Sequence, residues 1–205
     1  MGKFNIVVYG DSNTYGLSPD GSRYETRYGN ILEKLLDNSN VFEEGVIGRT
    51  TIYHDDRPGK KAIDTIDNDL AKYNNIDLLI IMLGTNDYKI KNSKNLNDIE
   101  EGMNILLNKV KKYNNIKNIL LISPILLSKN IEELDKDFNH NSYIISKIAS
   151  NIYYDLSKKH KILFYDAKNV AFAGSDGEHF TKESHIALGN ALANFLKNDT
   201  EILFN

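Results

Sequence analysis

Ser12 lies in Gly10-Asp11-Ser12-Asn13-Thr14, directly after the short run Phe4-Asn5-Ile6-Val7-Val8-Tyr9. Near the other end, Asp176-Gly177-Glu178-His179 sets an acid and a histidine three residues apart. A serine hydroxyl is a poor nucleophile until a neighbouring imidazole takes its proton, and the imidazole needs a carboxylate to fix its tautomer and stabilise its charge. Serine, histidine and aspartate in these settings form the inventory of nucleophilic acyl transfer. The chemistry expected is hydrolysis of an ester.

Such residues act together only if the fold gathers them. Apolar runs of strand length at 5–9, 41–44, 78–83, 118–122 and 162–165 alternate with helical patterns at 28–37, 61–73, 97–113, 141–159 and 181–196. This βα rhythm predicts a parallel sheet with helices on both faces. In the last helix Ile186, Leu188, Ala191, Leu192 and Phe195 fall close to one face. Ser22 with Glu25, and Asn97 with Glu100, fit the spacing of helix-capping pairs. No repeat, proline-rich linker or low-complexity tract divides the chain, so one domain over residues 1–205 is expected.

Ligands of an open parallel sheet collect outside the carboxyl ends of its strands. Strand one runs into Gly10-Asp11-Ser12, strand two into Gly45-Val46-Ile47-Gly48-Arg49-Thr50-Thr51, and strand three into Gly84-Thr85-Asn86-Asp87. Strand five leads to Asp176 and His179. Taken singly, each has a bland reading. Ser12 could be a turn or cap former, Gly48 a backbone hinge, Asn86-Asp87 a turn closure, and His179 a structural histidine. Their convergence on one sheet edge favours the chemical reading.

Other chemistries fit less well. The serine context lacks the second glycine of G-x-S-x-G, no G-x-x-x-x-G-K-[ST] occurs, and Gly10, Gly16 and Gly21 do not make G-x-G-x-x-G. The 28 acidic and 25 basic residues leave a net charge of −3, which offers no field for nucleic acid or an anionic bilayer. Cysteine is absent, so disulfides, thiolate metal sites and a cysteine nucleophile are excluded. The N-terminal apolar run is short for a signal sequence and reads as a strand, and no run reaches membrane-spanning length. A soluble, cytoplasmic protein without membrane or nucleic-acid partners is the expectation.

The ordered motifs Gly-Asp-Ser with Ser12, the glycine block with Gly48, Gly-Thr-Asn-Asp with Asn86, and Asp-x-x-His with Asp176 and His179 resemble the SGNH, or GDSL-type, hydrolases. Glu43-Glu44-Gly45, Gly48-Arg49-Thr50-Thr51 and Asp176-Gly177-Glu178-His179-Phe180-Thr181 are similar to its arylesterase and acyltransferase branch. The resemblance implies a three-layer α/β/α sandwich like flavodoxin, with a five-stranded parallel sheet in the order 2-1-3-4-5. It implies an esterase that needs neither metal nor cofactor and takes a small-molecule ester. Ser12 would be the nucleophile, His179 the base and Asp176 its partner, with the N–H groups of Ser12 and Gly48 and the amide of Asn86 as the oxyanion hole.

Further expectations concern the pocket. Asp11 and Asn13 flank the nucleophile, and Ile125, Leu126 and Leu127 follow strand four, so these five are candidate substrate contacts. Tyr28 stands where the branch commonly has an Arg-Trp pair, and Ile125 where a second proline is frequent. The compact 87–176 interval covers the region that forms oligomer contacts in that branch, which leaves homo-oligomer formation and acyl transfer to alcohols open. His185 is a rival base, expected on the second turn of the last helix and facing away from the strand ends. His54-Asp55-Asp56 reads as a solvated loop rather than a metal site, and His140 and His160 as surface residues, the latter at a helix C-terminus. A carbohydrate O-deacetylase, a lysophospholipase or thioesterase, and a catalytically silent binding module are the alternatives.

Overall fold

The computed structural model describes residues 3–54, 60–198 and 200. The chain runs β1 (Phe4–Gly10), α1 (Ser12–Tyr15), α2 (Tyr28–Leu35), β2 (Ser39–Gly45), α3 (Ala62–Leu70), β3 (Leu78–Met82), α4 (Leu96–Val110), β4 (Ile119–Ile122), α5 (Ile131–Leu134), α6 (His140–His160), β5 (Leu163–Tyr165) and α7 (Lys182–Asn198). All five strands are parallel, in the order β2-β1-β3-β4-β5. This is the expected architecture, and each strand and long helix lies within a few residues of its expected place.

The central strands read as unbroken apolar runs because both of their faces are covered. Ile6, Val7, Val8 and Tyr9 of β1 and Leu78 to Ile81 of β3 are fully inaccessible. Parallel crossovers are right-handed, so the step from β1 to β2 and the opposite march from β2 to β3, β4 and β5 put their helices on opposite faces. α2 accordingly packs with α7, whereas α3 packs with α4 and α4 with α6. The reversal of direction falls beside β1 and β3, where the ends of the first and third strands open a crevice.

Neither expected capping pair is used. α4 is capped two residues earlier, by Asn95, whose Oδ1 accepts the N–H groups of Asn97 at 2.8 Å and Asp98 at 3.2 Å while the Asp98 carboxylate accepts the N–H of Asn95 at 2.9 Å. Ser22 belongs to a turn, where its carbonyl accepts the Ser18 hydroxyl at 3.0 Å, and α2 starts only at Tyr28. Both asparagine-rich and serine-rich stretches offer several acceptors at similar spacing, and the extended backbone at Asn95 selects the one that caps.

Candidate active site

Gly10 ends β1 where no side chain fits: a Cβ there would lie 2.0 Å from Thr14 Oγ1 and 2.6 Å from the Met82 carbonyl. The chain turns at once into α1, with Asp11 as N-cap accepting the Asn13 N–H at 3.0 Å. Ser12 is therefore the first residue of a helical turn at the sheet's carboxyl edge, with only 5% of its surface exposed. Its hydroxyl lies 2.9 Å from His179 Nε2.

On the far side of the ring, His179 Nδ1 is 2.6 Å from Asp176 Oδ2. The other oxygen of Asp176 accepts the N–H groups of Glu178 at 3.1 Å and His179 at 3.0 Å. Burial alone would raise the Asp176 pKa, but these hydrogen bonds and the imidazole hold it below the ordinary carboxylate range. For His179, burial disfavours the charged ring, and the Asp176 bond with the Glu178 and Asp176 charges outweighs that, so its pKa is raised. Serine, imidazole and carboxylate thus lie in hydrogen-bonded sequence, an arrangement able to pass a proton from the hydroxyl to the ring.

The segment after β2 turns through Val46 to Arg49, closed by the Arg49 N–H on the Val46 carbonyl at 3.1 Å, with Gly48 at a φ of 79°. A left-handed residue at that turn position is what favours glycine. After β3, the 3-10 turn Thr85–Tyr88 buries Asn86, which gives one amide hydrogen to the Arg49 carbonyl at 3.1 Å and retains a second. The Asp87 carboxylate receives the N–H of Thr51 at 3.0 Å and its hydroxyl at 3.2 Å. Asn86 and Asp87 therefore bind the Gly48 loop to the β3 turn, so that donors from both loops share one frame. Burial pushes the Asp87 carboxyl up to about 7, against the lowering effect of the Thr51 bonds.

Arg49, 1% exposed, anchors that frame from beneath. Its guanidinium donates to the Gly10 carbonyl at 3.0 Å, pairs with Asp69 at 2.8 Å, and lies 4.0 Å from the centroid of the Tyr9 ring. In the sequence, Arg49 and Asp87 stand only as letters of motifs. An arginine and an acid placed immediately after two convergent strand ends were the available signal.

Several candidate substrate contacts occupy other places. Asp11 is 2% exposed and turned into its own cap, and burial raises its carboxyl to about 6 against the Asn13 bond. Asn13 is spent on the chain itself, its Nδ2 donating to the Glu178 carbonyl at 3.1 Å and its Oδ1 accepting the Phe180 N–H at 2.8 Å. Ile125 and Leu127 are each 1% exposed and belong to the core, while Leu126 is half-buried.

The remaining histidines also resolve. His185 lies in the first turn of α7 rather than the second, because the helix starts at Lys182, and it is fully buried between Tyr24, Tyr28 and Phe180 with neither ring nitrogen hydrogen-bonded. His160 ends α6 but is buried rather than superficial, its Nε2 2.8 Å from Asn104 Oδ1, and burial lowers its pKa. His140 is exposed. Asp55 and Asp56 lie outside the described residues. Among the described residues, the one group of side chains spaced to surround a cation is Asp176, Glu178 and His179, whose ligand-type atoms lie within 4.8 Å of one another. Two of these already form the carboxylate–imidazole pair, so a cation there would compete with it. No helix among the described residues is long and apolar enough to cross a membrane.

Residues 8–185 match the model of the GDSL-like lipase/acylhydrolase family. Among solved structures, a carbohydrate acetylesterase family member from Sinorhizobium meliloti is 26% identical, with a TM-score of 0.87 over 98% of this chain and 100% of that one. The native aryl esterase of M. smegmatis is 29% identical, with a TM-score of 0.83 over 95% and 98% of the two chains. The lipase/acylhydrolase from Enterococcus faecalis, 16% identical with a TM-score of 0.71 over 96% of each chain, shares the fold. No curated protein matches the chain.

Proposed function

We propose that this chain, which belongs to the GDSL-like lipase/acylhydrolase family, is a serine esterase that cleaves short-chain acyl or aryl esters of small molecules through an acyl-Ser12 intermediate. The observation that carries the reading is the run from Ser12 Oγ to His179 Nε2 at 2.9 Å and from His179 Nδ1 to Asp176 at 2.6 Å.

In this reading Ser12 Oγ attacks the ester carbonyl as its proton passes to His179 Nε2. The oxygen of the tetrahedral intermediate gains its charge facing the N–H groups of Ser12 and Gly48 and the free amide hydrogen of Asn86. Collapse breaks the bond to the alkoxy or aryloxy oxygen, and His179 returns the proton to that leaving group. Water then enters, loses a proton to His179, and attacks the acyl carbon; collapse of the second intermediate restores the Ser12 hydroxyl and releases the acid. Asp176 stays ionised throughout and holds the imidazolium.

A carbohydrate O-acetyl ester is the favoured alternative substrate, because the S. meliloti neighbour that aligns over nearly the whole of both chains is a carbohydrate acetylesterase family member. The test is hydrolysis of p-nitrophenyl esters from acetate to palmitate, beside acetylated sugars, by the native protein and Ser12→Ala. Activity on short chains or sugar acetates that vanishes in Ser12→Ala is expected. Full activity in Ser12→Ala would end the acyl-serine reading.

A further inference from the structure

Glu178 stands between the two residues of the carboxylate–imidazole pair in sequence, and its own carboxylate has no place in the proton path described above. Its backbone is held at both ends: the N–H donates to Asp176 at 3.1 Å and the carbonyl accepts from Asn13 at 3.1 Å. The side chain, 13% exposed, places Oε1 3.8 Å from His179 Nδ1. The imidazole edge facing away from Ser12 therefore meets two carboxylates, Asp176 in contact at 2.6 Å and Glu178 at 3.8 Å.

The surroundings keep that second carboxylate in position. The 128–138 segment packs over the 176–179 turn, where the Ser128 N–H donates to the Gly177 carbonyl at 2.9 Å and a Cβ on Gly177 would lie 2.9 Å from both Ile131 and Leu134. The Asp135 carboxyl of the same segment pushes the Glu178 pKa up, and Lys89, paired with Asp137 at 2.9 Å, pulls it down from the β3 side. Asp176, His179, Asp135 and Lys89 are thus the charged groups that face Glu178, and Asp11 adds its field at the ring.

We infer that Glu178 is a positioning residue for His179, a second anion that shares with Asp176 the task of holding positive charge on the imidazole. The inference rests on the esterase reading for its effect on rate, but not for its effect on the ring. Burial raises the Glu178 carboxyl to about 7, against His179 and Lys89, while the Glu178 charge raises the His179 pKa in turn, so the charge of each group depends on the other. The two groups titrate as a pair. An anion this close favours the protonated ring, so its removal must lower the His179 pKa.

The direct test is an NMR titration of the His179 imidazole in the resting protein, the resonance being assigned by its loss in His179→Asn. Glu178→Gln should move the His179 midpoint down by about half to one pH unit, and Glu178→Asp, which keeps the charge, should restore most of it. Glu178→Ala serves in place of the glutamine if that variant does not fold. On p-nitrophenyl acetate the acid limb of kcat/KM should shift the same way, with about a 3- to 10-fold lower plateau. A His179 midpoint unchanged in the neutral variants overturns the inference, whatever the rate does. A shifted midpoint in a protein that cleaves no ester sustains it and counts against the esterase reading alone.

Discussion

Asn13 Oδ1 accepts the backbone N–H of Phe180 at 2.8 Å, across 167 positions of sequence, while the other end of the same amide donates to the Glu178 carbonyl at 3.1 Å. The residue after the nucleophile thus holds both sides of the histidine, and the 2.9 Å approach of His179 Nε2 to Ser12 depends on that clamp. Asn13→Ala would orphan a buried N–H and a carbonyl, each loss costing about 1–3 kcal/mol. We expect a lower melting temperature and about a 10- to 100-fold loss in kcat with KM little changed, since a misplaced base harms the proton transfer more than binding. A variant with normal kcat would show that the turn holds itself.

Asn86 tests the oxyanion assignment. A preorganised donor of this type contributes about 2.7–4 kcal/mol to the transition state. Asn86→Ala is therefore expected to lower turnover by about 10²- to 10³-fold while the protein still melts cooperatively. Its amide also donates to the Arg49 carbonyl, so a modest drop in melting temperature accompanies the change. Near-normal turnover would remove Asn86 from the mechanism.

The contrast between these two asparagines shows what the sequence makes legible. Asn86 follows a buried apolar strand inside a recognisable motif, so its place at the sheet edge could be read from periodicity and order. The clamp role of Asn13 could not, because it depends on a partner at the far end of the chain. Ile125 and Leu127 are buried while Leu126 between them is half-buried, and composition does not distinguish three consecutive apolar residues. His160 carries the right helix end but the wrong exposure, since the Asn104 that receives it lies on α4, far away in sequence. Strand placement and motif position are local or nearly local properties, whereas side-chain pairings between loops are not, and the strand order is implied by the family resemblance rather than by periodicity.

Asp87 links stability to pH. Its ordinary carboxyl value is 3.8, and in the folded protein burial raises it to about 7. Above 3.8 the unfolded chain has already released this proton while the folded one retains it, so this residue's contribution to stability declines as pH rises through that window and levels off above about 7. Asp87→Asn removes the titration and keeps an oxygen to accept the Thr51 N–H. The expected outcome is a smaller fall in melting temperature between about pH 5 and about pH 8, an interval that covers the upper part of the window, than in the native protein. An identical fall in both proteins would exclude Asp87 as a source of it.

His185 acts with the opposite sign and separates packing from catalysis. Its ring is buried against Tyr24, Tyr28 and Phe180 with both nitrogens unpartnered, and burial, reinforced by the Arg27 charge, lowers its pKa from 6.5 to about 4. The unfolded chain takes up a proton here below 6.5 while the folded protein resists until about 4, so stability is lost as pH falls through that interval. At 1.36 kcal/mol per pH unit the loss approaches about 3 kcal/mol at the acid end. His185→Phe keeps an aromatic ring among aromatic neighbours and removes both the titration and two unsatisfied nitrogens. The variant should resist acid better than the native protein and retain its ester turnover, as measured by melts from pH 4 to pH 7 and p-nitrophenyl acetate hydrolysis, a range set about the two titration limits. Because His179 already spans Ser12 and Asp176, loss of turnover in a folded His185→Phe protein would be the result that reopens the choice of base.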